Sequence, residues 1–195
     1  MSILKLKLRV ASFLLVLLLS SSLAQTPAGV SSSDWKDIVQ NRLSLYGHRN
    51  WIVVADSAFP VYAEPGIETI VVNADLPSVL RYVASAISSS RHVRATVFLD
   101  QELQFIDEHD YPGVSELRKH IMAPFAKDQI SSIPHTEVMT KIGEAGKTFR
   151  ILFIKTTATI PYTSVYMRLD CGYMSDEVEG RIKTAVSAVG NRQPK

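Results

Sequence analysis

The apolar positions of this chain fall in short blocks whose period alternates between helix and strand. Trp35, Ile38, Val39, Leu43 and Tyr46 keep helical spacing, so 34–46 is expected to be a helix, with Ser32 or Ser33 as its cap. Residues 51–55, Trp-Ile-Val-Val-Ala, are an unbroken, β-branched run, the pattern of a strand buried on both faces. Residues 68–74 read as a second strand. Asp75 and Pro77 then open a helix with Val79, Leu80, Val83 and Ile87 on one face, ending in Ser88, Ser89 and Ser90. A third strand is expected over 92–99. A short helix around Glu102, Leu103 and Ile106 follows, and then a helix over 114–125 stopped near Pro124. Residues 129–137 contain a loop at 133–137, and a helix starts within 137–143. Residues 148–154 form the second strong strand, and 155–161 are a turn-rich connection. In 162–169 Val165, Met167 and Leu169 alternate with Ser164, Tyr166 and Arg168, which predicts a last strand. The tail, 176–189, places Val178, Ile182, Ala185, Val186 and Val189 on one side of an amphipathic helix capped by Ser175 and ended by Gly190. Strands alternating with helices predict one α/β domain with a mostly parallel sheet over 34–174, plus a C-terminal helix at 175–190.

The first residues change the compartment. Lys5, Lys7 and Arg9 precede an apolar run over 10–19, and Ser20 to Ala24 offers a small-residue cleavage site. Residues 1–24 read as a secretory signal peptide, with 25–33 a Pro/Gly/Ser linker, so the protein is expected to be exported, periplasmic or secreted. An uncleaved anchor is the alternative. No cysteine follows the run, which argues against a lipoprotein. Removing the three cations of the signal takes the formal charge from +2 to −1. Nothing basic then remains to suggest a nucleic-acid partner or an acidic membrane surface, and no membrane span is expected after cleavage. The single cysteine, Cys171, excludes an intramolecular disulfide and reads as a small buried apolar residue.

Candidate chemistry concentrates at the ends of the first strand. His48 follows Gly47 just before it, and Asp56 follows it directly. The end of a buried parallel strand is where open α/β sheets place ligand-binding groups. A surface histidine and a helix-capping aspartate are the plainer readings of the same two residues. Eight extended residues span roughly 25 Å, so one site can hold both only if the chain bends back or a second subunit supplies one of them. The five histidines show no zinc-hydrolase spacing with an acidic residue. No Gly-x-Ser-x-Gly elbow and no glycine-rich phosphate loop occurs.

Three blocks carry a resemblance. Leu45-Tyr-Gly-His48 with Ile52-Val-Val-Ala-Asp56-Ser-Ala-Phe-Pro60, then Ile133-Pro-His-Thr-Glu137, then Lys155-Thr-Thr-Ala-Thr-Ile-Pro-Tyr162-Thr-Ser occur in that order. Together they resemble the D-ribose pyranase / L-fucose mutarotase family over residues 35–172. The resemblance implies a three-layer α/β/α fold and ring-shaped homo-oligomers, often decamers, with sites between subunits. It also implies interconversion of ring or anomeric forms of a free monosaccharide such as ribose or fucose, without metal or cofactor. By the match, His48 is the general acid/base. Asp56 binds a sugar hydroxyl or holds an imidazole, His135 is a second polar contact, and Tyr162 donates a hydrogen bond or packs on the sugar. Ser164 stands where the family has asparagine, Lys155 where it has arginine, and Thr157-Ala158 where it has Gly-Glu. The C-terminal helix lies beyond the usual family end. A binding protein that kept the pocket without the chemistry is the alternative.

Overall fold

The structure, a computed structural model, describes residues 34–190. The signal peptide and linker expected over 1–33 lie outside the described residues.

The order of elements is α1 (Asp34–Leu45), β1 (Trp51–Ala55), β2 (Ile67–Val71), α2 (Leu76–Ser89), β3 (Val93–Asp100), α3 (Val114–Met122), β4 (Ile130–Ile133), α4 (His135–Gly146), β5 (Ile151–Lys155), β6 (Val165–Cys171) and α5 (Asp176–Gly190). Among the described residues six strands form one sheet in the order β2-β5-β1-β6-β3-β4. Pairs β1–β5, β2–β5 and β3–β4 are parallel, whereas β6 runs antiparallel to both β1 and β3. Five strands therefore point one way, which makes the sheet mostly parallel, as expected.

The strand periodicity sorts side chains into two cores. Ile52, Val54, Leu152, Ile154, Val165, Met167 and Leu169 face α1, α2 and α3. Trp51, Val53, Ile151, Phe153 and Tyr166 face α4, which contributes Val138 and Ile142. Helices on both faces make three layers. All five residues of β1 are buried. Complete burial of a side chain such as Ile52 stabilises the fold by roughly 1.5–3 kcal/mol. Asp75 caps α2 by accepting from the Ser78 N–H at 2.8 Å, with Pro77 in the first turn. Gly66 is fixed by close approach, because a Cβ there would collide with the carbonyl oxygens of Gly146 and Phe149.

The differences from the sequence reading have local causes. The strand β4 was not anticipated. Ile-Ser-Ser-Ile has no clear alternation, and it is recruited at the sheet edge by pairing Ile130 to Ile133 with Val97 to Asp100. The expected loop at 133–137 is largely helix, because α4 starts at His135, whose N–H is accepted by the Glu102 carboxylate. The strand expected from 148 begins at 151, since the Thr148 and Phe149 N–H groups still bond to the Ala145 carbonyl. The last strand runs 165–171 instead of 162–169, because Tyr162 turns the chain with φ 58°. The region around Glu102 is a 3₁₀ turn, Gln101–Phe105. Cys171 is half-buried, not buried. The helix α5 forms as expected, but its apolar side stays in water, with Ile182, Val186 and Val189 all exposed. No helix among the described residues is long and apolar enough to cross a membrane.

Candidate functional site

The sheet brings the sequence-predicted residues to two opposite edges, not to one cavity. Asp56 follows β1, Lys155 ends β5, and His135 lies just past β4, all at the C-terminal ends of these strands. Because β6 is antiparallel, its start lies at the same edge, and with it Ser164 and the turn that holds Tyr162. His48 precedes β1 and belongs to the other edge, beside the C-terminal end of β6.

At the first edge the side chains form a connected series. The Ser164 hydroxyl donates to Asp56 Oδ2 at 2.9 Å and accepts from the Asp56 N–H at 3.3 Å. Asp56 Oδ1 accepts from the Ala58 N–H at 3.0 Å, an Asx-type turn that fixes the carboxylate. Ser164 is only 1% exposed, so its hydroxyl is committed to Asp56 and does not face solvent. Two residues on, the buried Tyr166 hydroxyl donates to Asp100 Oδ2 at 3.4 Å. The other oxygen, Asp100 Oδ1, lies 3.1 Å from His135 Nδ1. The His135 ring meets Tyr162 edge to face, with centroids 5.4 Å apart. Lys155 is half-buried at the end of β5.

Burial governs the electrostatics here. It pushes the Asp100 carboxyl up, to about 6, against the lowering pull of His135 and of the Tyr166 hydrogen bond. Burial, and then the Asp100 charge, push the Tyr166 phenol far above its ordinary range, so this hydroxyl serves as a neutral donor.

At the second edge His48 is half exposed, its Nε2 3.7 Å from Asp170 Oδ1. Asp170 is held by the Thr96 hydroxyl at 2.6 Å and by Arg168 Nη2 at 3.2 Å. These side chains line a groove of about 780 Å³ that α5 flanks with Asp176, Glu179 and Lys183. An Arg94–Asp176 ion pair of 2.6 Å ties the start of α5 to the sheet.

Backbone strain marks both edges. Among the described residues the non-glycine positive-φ positions are Arg49, with φ 73°, and Tyr162, with φ 58°. Each costs of order 1 kcal/mol and persists only where the surroundings impose it. One adjoins His48, and the other is a candidate ligand contact.

The sequence reading missed Asp100, Tyr166 and Asp170. Asp100 closes an alternating strand, and its place at the end of a parallel strand was the available signal. Asp170 and Tyr166 carried no signal, since their value comes from the antiparallel register of β6. Of the other histidines, His92 has Nε2 at 3.0 Å from the Leu43 carbonyl and 3.1 Å from that of Tyr46, and so closes the end of α1. His109 is solvated. Among the described residues no three His, Cys, Asp or Glu side chains come together as a metal ion would need.

No curated protein matches the chain by sequence. Among solved structures, it is similar to Bacillus subtilis RbsD complexed with D-ribose, at 18% identity and a TM-score of 0.49, over 68% of this chain and 91% of that one. It is also similar to the fucose mutarotase of Streptococcus pneumoniae in complex with L-fucose, at 16% identity and a TM-score of 0.47, over 76% and 98%. The sequence profile of the RbsD / FucU transport protein family matches residues 37–186, a span that runs into α5. With most of its length inside that match, the chain belongs to the RbsD / FucU transport protein family.

Proposed function

We propose that this protein is an exported monosaccharide mutarotase or pyranase. It interconverts ring or anomeric forms of a free sugar such as ribose or fucose in sites shared between copies of the chain, without a metal or cofactor. The observation that carries this reading is the linked set Asp100, His135 and Tyr162, with Asp56 held by Ser164 at the same sheet edge, in a member of this family. Asp56 and His135 are hydrogen-bonding groups suited to a polyhydroxylated ring, and Tyr162 adds a hydroxyl and an aromatic edge for its apolar face, while the buried Asp100 lies behind them. His48 lies at the opposite edge, the length of β1 away, so a head-to-tail contact between copies is what joins it to them.

Ring opening requires one proton removed from the anomeric hydroxyl and one delivered to the ring oxygen. Imidazole does either near neutral pH. His48 of one copy is the acid/base; Asp56, His135 and Tyr162 of the next orient the sugar. Saturation-transfer NMR with ribose, fucose and galactose tests the reaction. We expect enhanced exchange with one sugar, lost in His48→Ala and in His135→Ala. When the two variants are unfolded and refolded together, activity returns, because a quarter of randomly formed contacts pair two intact edges. Exchange in His48→Ala at the wild-type rate refutes the assignment, and mixtures that stay inactive refute the shared site.

One observation favours a second reading. Ser164 is buried and bonded to Asp56, so it offers a sugar nothing in place of the family's asparagine. A sugar-binding protein without chemistry then gives saturable binding and exchange no faster than buffer.

A further inference from the structure

The first edge holds a buried acidic group that the sugar-contact roles above leave unused. The Asp100 side chain is 1% exposed, and that of His135 32%. Asp100 Oδ1 and His135 Nδ1 are 3.1 Å apart, yet each lacks an aligned hydrogen bond, and neither has any other partner. Two buried polar atoms within reach of each other and of nothing else make a pair that a small ring rotation completes.

The surroundings hold both members in place. Asp100 ends β3, and its Oδ2 takes the Tyr166 hydroxyl from β6. Glu102, in the 3₁₀ turn that follows, accepts the His135 N–H at 3.0 and 3.1 Å, anchoring the first residue of α4. Tyr162 bounds the imidazole from the turn before β6. The ionisable groups facing the pair are thus Glu102, Tyr162 and Tyr166, with Asp56 beyond Tyr166 and Glu137 in the first turn of α4.

We infer that Asp100 is a positioning residue for His135. It holds a proton on Nδ1 and leaves Nε2 bare as a proton acceptor at the open edge, so that His135 is a second acid/base group and not only a polar contact. This rests on the mutarotase reading for its chemistry. Nε2 of His135 takes the anomeric hydroxyl proton, and the electron pair of that O–H bond becomes the second bond of the new carbonyl. The bond from the anomeric carbon to the ring oxygen breaks with its pair on that oxygen. The oxygen takes a proton from His48 of the neighbouring copy. Closure on the other face reverses both transfers, returning each histidine to its starting state.

The test has one arm that needs no sugar. In uniformly ¹⁵N-labelled protein at pH 7.5, the two-bond ¹H–¹⁵N correlations of His135 should show the Nδ1–H tautomer. Asp100→Asn should lose that single tautomer, because an amide can face Nδ1 with either its oxygen or its NH₂. A wild-type Nε2–H tautomer overturns the proposal whatever the activity. In the second arm, Asp100→Asn should lower kcat for anomer exchange by about 10- to 100-fold, the range for groups that orient a histidine from behind, with KM within about threefold. An unchanged kcat overturns the positioning role. Absence of exchange in the wild type refutes the mutarotase reading and leaves the tautomer result to decide the pair. His135→Gln provides the folding-independent check, since removing the imidazole should raise the Asp100 carboxyl titration read by ¹³C NMR.

Discussion

Asp100 should cost the protein stability at neutral pH, and the cost can be isolated. Its carboxyl ionises at an ordinary 3.8 in the unfolded chain and at about 6 in the fold, because burial penalises the charge. Between those values the native state holds a proton that the unfolded chain has released, so the stability this group contributes is present below pH 4 and lost as pH rises past 6. A tenfold change in proton affinity is worth roughly 1.4 kcal/mol, so the loss is about 3 kcal/mol. Asp100→Asn keeps the shape and removes the titration. Urea unfolding of both proteins at pH 4 and pH 7 gives four free energies. The other carboxylates cancel in the difference between wild type and variant, and that difference should move by about 3 kcal/mol in the variant's favour from pH 4 to pH 7. In a His135→Gln background the movement should be larger, since the imidazole lowers the Asp100 value. A difference that stays constant within about 1 kcal/mol refutes the argument that burial, and not the local partners, sets this carboxyl.

Tyr166→Phe removes the donor to Asp100 Oδ2, so the Asp100 titration read by ¹³C NMR should move further upward; a downward move would show that the hydrogen bond does not hold the ionised form. Gly66→Ala should destabilise by roughly 3 kcal/mol in urea unfolding, because the new methyl meets two backbone carbonyls that cannot give way. Ile142→Ala empties a fully buried site between α4 and the sheet, and should cost roughly 2–5 kcal/mol in the same assay.

The strands with strong local signals were legible from sequence. The bounds of β1 follow from an unbroken apolar run, and α2 from its aspartate, proline and four apolar positions on one face. The short edge strand was not, because two serines between isoleucines carry no period, and only the neighbouring β3 makes them a strand. The candidate residues His48, Asp56, His135 and Tyr162 came from short blocks of sequence. Their division between two edges follows from β1 lying between His48 and Asp56. Asp100 has a signal in its place at the end of a strand, but its partner Tyr166 has none. Their pairing depends on β6 running against β3, a register that brings residues 66 positions apart within reach.

That same strand has a consequence for how the molecule comes into being. The last of the described strands, β6, lies in the middle of the sheet, between β1 and β3. Until it is in place, β2-β5-β1 and β3-β4 are two separate ribbons with bare inner margins, joined by no ladder. A chain emerging from the ribosome cannot close its sheet until residue 171 is free. These distant pairings make folding a late and comparatively slow event. For much of its synthesis the protein is two unfinished ribbons waiting for their keystone, and a chain truncated before residue 165 should never complete the sheet.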